Sequence, residues 1–147
     1  MKNLLVLSAL VLSTNSFASD YLLKYNVGSG FSPIPMSSET KVLEDGKVVR
    51  TVYQGTKTTT KLAKTLSPNT IQAIKDNIEA LKANAKLVDL DANKPRCMDA
   101  PSRSITANKE GKEIRVYSVS TCHKSVVKSK AAENLIQAME TINASIK

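Results

Sequence analysis

Two cysteines, Cys97 and Cys122, bracket a segment patterned as one β-hairpin, and no other feature of the 147 residues constrains the fold as tightly. Ile105 and Ala107 alternate with polar neighbours. A glycine-containing turn follows over 108–112, and then Ile114 and Val116 alternate with Arg115 and Tyr117. Period-two alternation on both sides of a turn predicts a hairpin. The cysteines lie almost equidistant from its tip, so pairing the strands brings them face to face at the open end. Pro101 cannot donate to a strand ladder, which puts a bend or bulge after Cys97.

Whether the two sulfurs bond depends on compartment. The chain opens MKNLLVLSALVLSTNSFASD. Lys2, the apolar run from Leu4 to Leu12 and the small residues Ser16 and Ala18 form the three-part secretory pattern, with an apolar stretch too short to span a bilayer. The expectation is a signal peptide over 1–18 and a single exported domain over 19–147, periplasmic or secreted, without a transmembrane segment. In an oxidising compartment two cysteines are most simply a disulfide.

The only histidine, His123, adjoins Cys122 and raises two other chemistries. A thiol nucleophile would need the imidazole to reach the sulfur, but neighbours in an extended segment point to opposite faces. A zinc site needs four ligands, or three and water, and only a carboxylate such as Asp99 could complete it. The reading is therefore a structural Cys97–Cys122 disulfide, no metal, no cofactor, and His123 as a polar edge residue whose loss is nearly silent for folding.

The rest reads as α+β. Residues 21–27 look like a strand, and GSGFSPIPMSS like a loop. TKVLEDGKVVRTVY carries a hairpin turn at Asp45-Gly46, and 56–62 form an exposed Thr/Lys strand. Ser67-Pro68 starts a helix, with Ile71, Ile74, Ile78 and Leu81 on its apolar stripe, fading near 84–86. A second helix begins at Ser129 or Lys130 and buries Ala132, Leu135, Ile136, Met139, Ile142 and Ile146. The expected architecture is an antiparallel sheet of two hairpins plus flanking strands, with both helices on one face. A gapless shift of the chain lays Asp45–Arg50 on Glu110–Arg115 and Ile71–Ile74 on Ile136–Met139. That echo fits a duplicated ββα unit, or convergence of turn and helix chemistry.

Charge and absences bound the function. Lys and Arg number 21 against 13 Asp and Glu, a formal charge of +8. The lysines are spread along the chain, tryptophan is absent and aromatics are few, so a nucleic-acid surface with stacking platforms is not expected. A basic surface outside the cytoplasm suits an acidic protein or an anionic envelope polymer. Phosphate loops, nucleophile elbows and multi-histidine metal motifs are missing. The sequence reads as a small exported non-enzymatic domain, a binding or inhibitor-like module. Its alternatives are a hydrolase using carboxylates (Asp89, Asp91, Asp99) or Cys122/His123, and a basic envelope-associated structural protein. The candidate partner-binding loop carries Phe31, Ile34 and Met36, stiffened by Pro33 and Pro35.

Overall fold

The structure, a computed structural model, describes residues 21–30, 33–34 and 36–146. The expected signal peptide lies outside these residues. The chain runs β1 (Tyr21–Gly28), β2 (Met36–Leu43), β3 (Lys47–Gln54), β4 (Lys57–Thr65), α1 (Pro68–Ala80), β5 (Val88–Asp89), β6 (Ser102–Lys109), β7 (Lys112–Ser120), β8 (His123–Val126) and α2 (Lys130–Ala144). All eight strands join one antiparallel sheet in the order β4-β3-β2-β1-β6-β7-β8-β5. The first strand is thus central, with the β2–β3 hairpin on one side and the β6–β7 hairpin on the other.

The core follows from register. Leu23 of β1 stands opposite Val42 and Ala107; Val42 stands opposite Val48, and Ala107 opposite Ile114. Directly opposed residues share a face, and all five are buried. Ile71, Ile74, Ile78 and Leu81 of the α1 segment, with Ala132, Leu135, Met139 and Ile142 of α2, join them in one cluster. The expected stripes are thus the buried ones, except that Ile136 and Ile146 are only partly covered.

The helix ends show how local and distant chemistry combine. Ser67 Oγ accepts the Thr70 N–H at 3.2 Å and Pro68 occupies the first turn; Ser129 Oγ likewise accepts the Ala132 N–H at 3.2 Å. Ser67→Ala should lower unfolding free energy by about 1 kcal/mol, read from a denaturant melt. Helix α1 stops at Ala80, earlier than its pattern implied, because Leu81 turns extended. Its last turn contains no basic residue. Instead Lys109, at the end of β6, donates to the carbonyls of Glu79 at 2.5 Å and Leu81 at 3.0 Å. A cation at the carbonyl end of a helix is favourable, and here it ties the helix to the β6–β7 tip.

Three elements depart from expectation. Strand β2 begins at Met36, inside what reads as loop. Strands β5 and β8 are additional, the first only two residues long. The turn echo has a structural counterpart, since Gly46 (φ +84) and Gly111 (φ +78) both take the left-handed backbone that glycine permits. The helices do not follow the same shift. By burial, Ile71, Ile74 and Ile78 correspond to Ala132, Leu135 and Met139, one helical turn earlier than that shift places them.

Candidate functional site

Cys97 and Cys122 form a disulfide with Cα atoms 5.5 Å apart. Cys122 is not in an extended segment. Ser120 pairs with His123, so Thr121 and Cys122 are the two central residues of a tight β7–β8 turn, with φ of 51° and 64°. Such turns require positive φ at both positions and normally use Asn or Gly. Here a β-branched residue sits in that region, at a cost. The Cys97 N–H donates to the Thr121 carbonyl at 3.0 Å, so the disulfide and a main-chain bond grip the turn together. Thr121→Asn, which suits left-handed backbone, should raise stability by about 0.5–1 kcal/mol in a thermal or denaturant melt.

His123 is the main correction to the sequence reading. It is only 8% exposed, and both ring nitrogens are engaged. Nδ1 lies 2.9 Å from Asp89 Oδ2, and Nε2 lies 3.0 Å from the Lys94 carbonyl oxygen. Both partners are acceptors, so only the imidazolium, with an N–H on each nitrogen, can satisfy the pair. The hydrogen bond to Asp89 holds the His123 pKa above its usual value, and the same bond holds the Asp89 carboxyl below the ordinary carboxylate range. His123 thereby fastens the 89–97 segment to the sheet. The neighbouring acids do similar work: Asp89 Oδ1 accepts the Asp91 N–H at 2.8 Å, and Asp91 accepts the Lys124 N–H at 3.0 Å and the Lys94 ammonium at 2.6 Å. Asp89 and Asp91 are built into the fold rather than standing as solvated loop groups.

This arrangement makes stability depend on pH with a definite sign. The folded His123 pKa is raised, so its contribution is fully present below about 6.5, the unfolded value, and is lost as pH rises through the folded value. For Asp89, depressed on folding, the contribution is present above about 3.9 and is lost as pH falls through the folded value. The gap in melting temperature between wild type and His123→Ala should be widest between those limits and should narrow on the alkaline side. A gap independent of pH would contradict the charged-imidazolium reading.

The candidate partner loop lies beside this region. The Ser29 N–H donates to the Met36 carbonyl at 2.8 Å, and Ser29 Oγ accepts the Met36 N–H at 3.1 Å, closing the loop at its base. Ile34 is 54% exposed and Met36 47%; Phe31 lies outside the described residues. A Cβ placed on Gly30 would collide with the Asp99 carbonyl oxygen, so this loop runs directly against the segment that follows Cys97. Met98 on that segment is 93% exposed.

Sequence reasoning missed what the sheet register assembles. Asp89, Ser125, Ser118, Ser104, Asn26, Glu39, Thr51 and Thr60 stand in successive direct pairs across all eight strands. They form one row of polar side chains on the face opposite Leu23 and Ile105, and no single strand announces it. Lys24 and Lys41 flank this row. Lys24 pairs with Glu113 at 2.6 Å and Lys41 with Glu39 at 2.8 Å. Tyr21 also bonds Glu113, and burial followed by that bond pushes its hydroxyl up to about 12. These two lysines are therefore committed to intramolecular pairs. Among the described residues no group of three or more His, Cys, Asp or Glu is arranged to hold a metal ion, and no helix is long and apolar enough to cross a membrane. No protein-family model matches the chain, and no curated protein matches it either.

Proposed function

We propose that the protein is a small exported binding or inhibitor-like module, not an enzyme, whose contact surface is the end of the sheet where the 29–36 loop meets the segment after Cys97. One observation carries this reading: Ile34 and Met98 are exposed apolar side chains on two touching loops, with exposed Met36 at the base of the first; that loop is closed by hydrogen bonds at Ser29–Met36 and the other is anchored by the disulfide. Fixed loops lose less entropy on binding than mobile ones, and methionine adapts to irregular partner surfaces. The basic excess favours an acidic extracytoplasmic protein as partner, with attraction that speeds encounter. The disulfide is compatible with an oxidising location, and the opening residues supply the export signal, cleaved after Ala18. N-terminal sequencing of exported material should begin at Ser19; retention of Met1 would count against export by this route.

The layering belongs to the same reading. Both helices cover the face that bears Leu23, Thr40 and Ile105, leaving the polar row on the other. The contact of Thr40 with Asn143, and the packing of α1 and α2 on one another and on the sheet, support it. A duplicated ββα origin rests on the matching turns at Gly46 and Gly111. If the layering holds, Ser104→Tyr should leave the melting temperature nearly unchanged while Ile105→Tyr lowers it strongly.

Binding is tested with the mature, disulfide-bonded protein on a surface, exposed to envelope extract at low and high salt. A partner captured by wild type should be lost with Met98→Asp, whose melting temperature stays unchanged, and its association should slow with salt. Capture that survives both Met98→Asp and Met36→Asp would place the contact elsewhere. A reactive native thiol at Cys122 would instead revive the hydrolase alternative, and salt-sensitive retention on anionic envelope polymer alone would favour the structural one.

A further inference from the structure

Strands β3 and β4 place two cations directly opposite one another: Arg50 pairs with Lys61 across the ladder. Like charges in that position repel, and a sheet gains nothing from them. Arg50 is also short of partners. One terminal nitrogen donates to the Ile146 carbonyl at 3.5 Å, but its Nε is sealed from solvent with no hydrogen-bond acceptor among the described residues. An unmet buried donor carries its full desolvation penalty. Both cations border one cleft of about 670 Å³, walled by Val52, Leu62, Ala63 and Ile146. Its size falls in the range of roughly 300–1,000 Å³ typical of small-molecule sites.

The arrangement is asymmetric in an informative way. The end of α2 already has cations, because Lys64 donates to Ser145 Oγ at 2.9 Å and Arg50 reaches the Ile146 carbonyl. Among the described residues Lys61 makes no ion pair or hydrogen bond, so capping the helix does not account for it. What would offset the repulsion between the two charges is an oxyanion set between them, and a carboxylate suits both a guanidinium and an ammonium. The remaining walls are mostly aliphatic, with Thr59 and Ser145 at the cleft as well, and offer such a ligand an apolar resting place.

The geometry points to a binding site for a small amphipathic carboxylate, its head between Arg50 and Lys61 and its apolar body against Val52, Leu62 and Ile146. The site shares no residue with the loops proposed to meet a protein partner and stands or falls independently of them. Octanoate is the probe, with 1-octanol as its neutral counterpart and acetate as the head alone, each titrated calorimetrically into the disulfide-bonded protein. Octanoate should bind saturably, and octanol and acetate at least about tenfold more weakly, the scale of a charge-assisted hydrogen bond. Arg50→Gln and Lys61→Gln should each weaken octanoate by a similar factor. Lys61 lies on an exposed edge strand, so its variant folds and carries the test if Arg50→Gln does not. Equal binding of octanol, equal binding of acetate, or undiminished octanoate affinity in the folded Lys61→Gln protein would each overturn the proposal.

Discussion

Replacing both cysteines with serine should lower the unfolding free energy by about 2–5 kcal/mol, the cost typical of losing a native disulfide from a small domain. The bond closes a loop of sequence separation 25, for which chain-entropy arithmetic gives about 3.5 kcal/mol. Local geometry argues for the upper part of the range. Without the bond, Thr121 and Cys122 must still hold left-handed backbone, with the Cys97 N–H to Thr121 carbonyl bond as the remaining direct grip on that turn. The segment from Asp89 to Lys94 would keep the short β5–β8 pairing, the Leu90 N–H to Lys124 carbonyl bond, and the His123 and Asp91 contacts. Denaturant melts of oxidised wild type and the double variant measure this directly. A difference below 1 kcal/mol would mean that the turn and the His123 bonds hold this end of the sheet unaided.

Leu23→Ala should cost about 3–5 kcal/mol. Leu23 is fully buried on the central strand, and its two cross-strand neighbours, Val42 and Ala107, are fully buried as well. A strand held on both sides cannot move inward to fill the space left by a deleted isobutyl group, so the cavity persists and adds to the lost transfer energy. Leu62, 60% exposed on the edge strand β4, provides the control. Leu62→Ala should change stability by no more than about 0.5 kcal/mol. Comparable losses at the two positions would contradict the placement of β1 at the centre of the sheet.

The sequence by itself determined whatever depends on near neighbours. The β6–β7 hairpin was legible because Ile105, Ala107, Ile114 and Val116 alternate about a glycine turn, and that reading placed Cys97 against Cys122. The helix starts at Ser67 and Ser129 were legible because a cap and its N–H partner lie within one turn. Strand β8 was hidden because Thr121 and Cys122 make its turn without the residues that usually mark one, and β5 because two residues carry no periodicity. Only the tertiary structure decided that the first strand lies at the centre, since strand order follows from pairings between distant segments. It alone assigned His123 to Asp89 and the Lys94 carbonyl, set Lys109 at the end of α1, and lined up eight polar side chains across the sheet. It also turned Arg50 and Lys61 into a facing pair. The physical reason is the same in each case. A side chain's neighbours along the chain follow from backbone geometry, whereas its neighbours in space follow from register, and register is set by burying Leu23, Val42, Val48, Ala107 and Ile114 together.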